Sequence, residues 1–198
     1  MRMPSFILIL ALVGFAFASS DVVTFKPDKN HSRIGFKVRH LGLANVRGSF
    51  GEYDATVQFD PEDITSLQAE ARIDVGSIDT GVERRDNHLR SDDFFNAEQY
   101  PIMHFVSKEV RNVNGNEFEL VGDLTIRDVT KEIVLEAEYF GVGTQRGRQK
   151  AGFEAVGTVN RFDYNLKWDN LTEVGGLVVG ENVQLVLELE LNEETTTG

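Results

Sequence analysis

The sequence predicts an all-β domain of long antiparallel strands, each with one dry face and one wet face, arranged as a closed barrel or as a sandwich. Three observations lead there. Apolar and polar residues alternate with period two over most of the chain from Asn30 onward. No strand-like stretch alternates with a long helix-like one, which argues against a parallel α/β sheet. The run NVNGN, Asn112 to Asn116, is a strong hairpin turn, because Asn-Gly takes positive φ at little cost.

The elements follow in order. A short lead strand is expected at Val22–Phe25. In SRIGFKVRH, Ile34, Phe36 and Val38 share one face, and Arg33, Lys37 and Arg39 the other. In YDATVQF, Tyr53, Ala55, Val57 and Phe59 oppose Asp54, Thr56 and Gln58. In LQAEARIDV, Leu67, Ala69, Ala71, Ile73 and Val75 oppose Gln68, Glu70, Arg72 and Asp74. Weaker alternation marks Ile102–Val110, Glu117–Ile126, Lys131–Gly141 and Gln149–Asn160. ENVQLVLELEL then places Val183, Leu185, Leu187, Leu189 and Leu191 on one side. With no repeat, linker or break in composition, these strands, about eight or nine, belong to one domain.

The longest stretch that does not read as strand is SIDTGVERRDNHLRSDDFF, Ser77 to Phe95. Thr80-Gly-Val-Glu83 has the form of a capping box and predicts a helix starting near Gly81. Ile78, Val82 and Leu89 would share its apolar side, with Arg84, Asp86 and His88 mainly elsewhere. Ser91-Asp-Asp-Phe-Phe95 predicts a second start, with Asp92 and Asp93 favouring the positive end of a helix. A short, broken helix between two strands would cover one open end of a barrel.

The inward faces carry many small residues: Ala55, Ala69, Ala71, Gly122, Ala137, Ala151, Ala155 and Gly157. Interiors do not tolerate much empty space, so either two sheets approach closely or a guest fills the volume. An eight-stranded barrel can hold one small ligand. Its lining (Phe36, Val38, Ile73, Leu124, Ile126, Leu135, Phe153) would be apolar and would call for an apolar guest. Periodicity alone allows the barrel and the sandwich equally.

Arg2 and the apolar run Phe6–Ala18, ending in Ala16-Phe17-Ala18, read as a secretory signal peptide over 1–18, leaving 19–198 as the mature domain in the periplasm or outside the cell. There is no cysteine, hence neither a disulfide framework nor a lipidatable thiol. The net charge of −12, becoming −13 once Arg2 is lost, disfavours nucleic acid and anionic surfaces at long range. Asn30-His-Ser and Asn170-Leu-Thr match the N-glycosylation triplet, which is common by chance.

Catalytic and metal motifs are absent. His31, His40, His88 and His104 are scattered without H-E-x-x-H spacing, and His104 is expected to face solvent. There is no G-x-S-x-G elbow, P-loop or dinucleotide fingerprint. Ser32, His40, Ser107 and Arg161 are the polar residues that fall on or beside inward faces and could fix a ligand's head group. Arg161 continues the face of Phe153, Ala155 and Val159; closure of a barrel end, by binding carbonyls or Asp163, is the preferred reading. Outward Val134, Phe140, Val156 and Val186 leave room for a homodimer.

The segments HSRIGFKVRHL, VRGSFGEYDATVQFD, SIDTGVERRDNHLRSDDFFNAEQYP, HFVSKEV, GDLTIRDVTKEI and NRFDYNLKWDN resemble the YceI-like family of exported lipocalin-like proteins, over about His31 to Leu191. The resemblance implies an extended eight-stranded antiparallel barrel with a short helical cap and a long apolar pore. It implies a polyisoprenoid ligand, such as an isoprenoid quinone or prenyl phosphate carried as cargo. It implies no enzymatic activity, no required cofactor or metal, and no stable membrane insertion.

Candidate ligand contacts are then Ile34, Phe36, Val38 and His40 from the first long strand. Ala69, Ala71 and Ile73 follow, then Met103 and Phe105, and finally Leu124, Leu135, Phe153, Ala155 and Arg161. Asp128 and Asn165 stand where family members often have glycine, and both residue types accept turn geometry. Two rivals remain: an enzyme acting on a lipid in the pore, with His40 as base near a serine, and an interaction protein with a solid core and no lipid.

Overall fold

The structure, a computed structural model, describes residues 21–173 and 175–194; the expected signal peptide lies outside them. The strands are β1 (Val23–Pro27), β2 (Arg33–His40), β3 (Ala44–Phe50), β4 (Tyr53–Asp60), β5 (Asp63–Asp74) and β6 (Ile78–Asp79). After helix α1 (Glu83–Arg90) come β7 (Ile102–Asn114), β8 (Glu117–Ile126), β9 (Val129–Gln145), β10 (Arg148–Asn160) and β11 (Val179–Glu193).

All pairings are antiparallel, and a β1–β11 pairing closes the sheet. The short strands are halves of bent ones. β11 pairs with β2 over Val179–Glu188 and with β1 at its end. β1 and β2 therefore form one interrupted strand, as do β3 with β4 and β5 with β6. The result is a closed eight-stranded barrel, extended because β11 alone, at 15 residues, spans about 50 Å.

Local chemistry explains the breaks. Where β1 passes to β2, Ser32 Oγ donates to the Glu190 carbonyl (2.8 Å) and accepts from its amide (3.0 Å), so a hydroxyl replaces the missing backbone ladder. Asp28 accepts from Lys150 and lies 3.1 Å from His31; chiefly through His31, its carboxyl is held down at about 2. Ser107 Oγ accepts from the Ala69 amide (2.7 Å) and ties β5 to β7. Ser32 and Ser107, expected as possible head-group residues, are thus occupied in holding strands together.

The hairpin at Asn114–Glu117 turns on Gly115, at φ 65°. Asn165, a position where the resemblance implies that glycine is common, takes the left-handed conformation (φ 63°). In the turn after Ile126 the positive φ falls on Arg127 (56°), not on Asp128.

The cap differs from expectation in four ways. Thr80 is not a capping residue: the N-cap of α1 is Val82, with no side-chain cap, and the helix begins at Glu83. The Thr80 hydroxyl instead donates to Asp86 and accepts from Arg85 Nε (2.6 Å), and the Asp86 carboxylate also accepts from the Thr80 amide (3.0 Å). Asp86, placed away from the apolar side in the sequence, is accordingly buried. Ser91 starts no second helix; it ends α1, its hydroxyl donating to the His88 carbonyl (2.7 Å). Asp93 sits 2.7 Å from His88 rather than at a helix start. Arg90 anchors the cap by donating to the carbonyls of Gly76 and Ile78, both at 2.8 Å.

Candidate functional site

Strand alternation sends one face of every stave inward, and the inward faces do not meet. They enclose a cavity of about 220 Å³. The smallest void that holds a water is roughly 15 Å³, so this space is on the order of fifteen times too large to be a packing defect. Several residues that point into it, among them Ile34, Phe36, Ala69, Ala71, Leu185 and Leu187, are only partly buried because their remaining surface faces the cavity.

The far end is sealed by aromatic rings. Phe25 and Phe59, both fully buried, stack at 5.1 Å, and Tyr139 and Phe153 stack at 4.9 Å. Phe59 meets both rings of the second pair edge-on at 5.5 Å. Phe153 lines the cavity while Phe25, Phe59 and Tyr139 lie beyond it, so this plug is its floor.

At the other end, Leu89 of α1, Phe94 and Phe95 form the roof. Phe95 packs edge-on against Phe50 (6.1 Å), and Phe94 and His88 both contact the Trp168 ring. A 3-10 turn over Arg161–Tyr164 closes the side of this end. Buried Arg161 donates to the carbonyls of Leu166 (2.6 Å), Gly180 (2.9 Å) and Val179 (3.1 Å) and lies over the Phe162 ring. Burial lowers its pKa, opposed by Asp169 and Glu181. Asp163 is not its partner and lies beside Lys131 (3.8 Å).

Of the residues expected to contact a ligand, Ile34, Phe36, Ala69, Ala71, Ile73, Met103 and Phe105 line the cavity. So do Leu124, Leu135, Phe153, Ala155 and Arg161. Val38 and His40 do not. β2 runs past the cavity toward its hairpin with β3, and His40, opposite Ala44 and Val179, belongs to the rim. Among the described residues no histidine lines the cavity.

The small residues divide. Ala55, Ala69, Ala71, Ala137 and Ala155 border open space. Gly122 and Gly157 do not: an added Cβ would lie 2.5 Å from the Phe105 ring and 2.7 Å from Leu135, so larger neighbours already fill their gaps. Ala151, 1% exposed, is packed outside the cavity.

Sequence reasoning missed the aromatic floor and the lining residues Phe50 and Tyr164, whereas the stretch Ser77–Phe95 that it read as the cover of one barrel end does supply the roof residues Leu89, Phe94 and Phe95. It did place Val183, Leu185, Leu187 and Leu189 on one face, and all four line the cavity. The Tyr164 hydroxyl is buried without a hydrogen-bond partner among the described residues, and burial pushes the phenol up to about 12. Tyr164→Phe is therefore expected to melt at or above the wild-type temperature, since it removes an unpaired polar group costing roughly 1–3 kcal/mol. A clear fall in the melting temperature would show that the hydroxyl has a partner.

Among the described residues one trio, Asp28, His31 and Glu190, brings metal-ligand atoms within 4.8 Å of one another. Lys150 Nζ already bonds to both carboxylates, so the cluster is a salt-bridged clamp on the β1–β2 break.

Residues 25–191 match the model of the YceI-like domain. The chain belongs to the YceI-like family. It is 42% identical over 170 residues to a UPF0312 protein of Staphylococcus epidermidis, covering 85% of this chain and 96% of that one. The Campylobacter jejuni YceI crystal structure superposes with a TM-score of 0.70 at 35% identity, over 85% of this chain and 96% of that one. A polyisoprenoid-binding domain from Saccharophagus degradans shares the fold, with a TM-score of 0.64 at 14% identity, over 87% and 99% of the two chains. No helix among the described residues of this YceI-like chain is long and apolar enough to cross a membrane.

Proposed function

We propose that this protein is an exported, non-enzymatic carrier or store for a lipid with a polyisoprenoid tail, such as an isoprenoid quinone or prenyl phosphate. The observation that carries the reading is the apolar cavity inside a closed barrel, bordered by five alanines, Ala55, Ala69, Ala71, Ala137 and Ala155. A tail buried there gains about 0.8 kcal/mol per methylene before the costs of binding. The floor is blocked by aromatic rings, so the head group lies toward the α1 end. Binding of polyisoprenoid by the Saccharophagus domain of the same fold supports this ligand class. Export rests on the Met1–Ala18 segment.

An enzyme using His40 is disfavoured because His40 stands outside the cavity, apart from any tail held there. The test is a titration of delipidated protein with a long-chain prenyl quinone and, separately, with a straight-chain hydrocarbon of similar length. Saturable one-to-one binding of the quinone is expected. Absence of saturable binding by both would overturn the reading.

A further inference from the structure

The chain carries 32 acidic residues, yet from Lys29 to Gly51 there is not one Asp or Glu. The same stretch holds Lys29, Arg33, Lys37, Arg39 and Arg47. It forms β2, β3 and the turn between them. Lys29 pairs with Glu52, and Arg33 stands opposite Glu188 on β11. Lys37, Arg39 and Arg47 form no ion pair among the described residues, and Lys37 lies directly opposite Arg47 across the β2–β3 ladder. Like charges so placed destabilise a sheet.

Edge protection explains only part of this. β3 meets β6 through Ser49 and Phe50 alone, so Arg47 sits on an exposed strand edge, where a charge prevents stray pairing. Lys37 and Arg39 are on β2, which is hydrogen-bonded on both sides and needs no such guard.

The tip of the same hairpin is apolar. Leu43 is 84% exposed and Leu41 44%. The tip is held firmly: the Leu41 amide donates to the Val178 carbonyl (2.8 Å) and the Leu43 amide to the His40 carbonyl (3.0 Å). The Val178 amide in turn donates to the Asn170 carbonyl, which brings the neighbouring Leu171, 63% exposed, to the same rim. The adjoining segment also bears Asp169, Glu173 and Glu181, so the basic surface is the outer face of β2–β3 and not the whole rim. This is the α1 end of the barrel, where the carrier reading puts the head group.

We propose that the β2–β3 hairpin docks on an anionic lipid bilayer, Lys37, Arg39 and Arg47 meeting the head groups while Leu41 and Leu43 enter the interface. The net charge of −12 opposes approach at long range, but screening confines that repulsion to about 8 Å at physiological salt, and the local basic face governs contact. Each cation near such a surface contributes about a five-fold gain in partitioning. The proposal concerns this outer face and stands apart from what fills the pore.

The test is flotation with vesicles of 30% phosphatidylglycerol in phosphatidylcholine, beside pure phosphatidylcholine. Wild type should float with the anionic vesicles at physiological salt, where the long-range repulsion is screened, be released at about 1 M salt, and stay unbound on phosphatidylcholine. Lys37→Gln/Arg39→Gln/Arg47→Gln should lower partitioning on the order of a hundred-fold. Leu43→Ser should weaken it several-fold while leaving the salt dependence in place. Prenyl-quinone binding without vesicles, measured on each variant, checks folding and reads the carrier hypothesis separately. Failure of wild type to float, equal flotation on both vesicle types, or variants that float like wild type would overturn the docking proposal.

Discussion

Ala71→Leu combined with Ala155→Leu is expected to weaken prenyl-quinone binding more than a thousand-fold while leaving the empty protein about as stable as wild type. Both alanines border the cavity from different walls, Ala71 on β5 and Ala155 on β10. Each leucine adds three carbons in space the tail would use. Six displaced tail carbons at about 0.8 kcal/mol each come to roughly 5 kcal/mol. In a solidly packed core the same changes would overpack, at roughly 1–3 kcal/mol apiece. Melting of the delipidated variant separates the two cases: a large drop would mean that the interior was already full.

Arg161→Ala is expected to act on the fold instead. The side chain satisfies the carbonyls of Leu166, Val179 and Gly180 and so binds the Arg161–Tyr164 turn to the start of β11. Its loss strands buried acceptors at roughly 1–3 kcal/mol each, so a total of about 3–5 kcal/mol and a melting temperature lower by roughly 10 °C are expected. Arg161→Lys keeps the charge but cannot span three carbonyls, and should fall between. A variant that melts like wild type yet fails to bind only prenyl phosphates would make Arg161 a head-group residue.

Period-two alternation made most staves and most of the cavity lining legible, because one dry face per strand is what a barrel requires. It did not reveal β3, where Gly48 interrupts the pattern. That glycine is demanded by packing: an added Cβ would stand 2.5 Å from the Phe36 ring. Nor could it show that β1 and β2 are one bent strand, since the join is made by the Ser32 hydroxyl and the Asp28–Lys150 contact, both long-range in sequence. Gly122 and Gly157 read as open space until Phe105 and Leu135 are seen to fill them. The Thr80–Glu83 spacing suggested a cap, but the Thr80 hydroxyl was drawn instead to Asp86 and Arg85. The aromatic floor brings together Phe25, Phe59, Tyr139 and Phe153 from four strands, a meeting that no local pattern encodes.

The most direct measurement is mass spectrometry of organic extracts from protein purified gently, without detergent, from its native host. Wild type should yield a prenyl-tailed lipid in near-stoichiometric amount, and Ala71→Leu/Ala155→Leu purified in parallel should yield little or none. Clean extracts from wild type, or an equal load in both proteins, would contradict a pore that holds an isoprenoid tail.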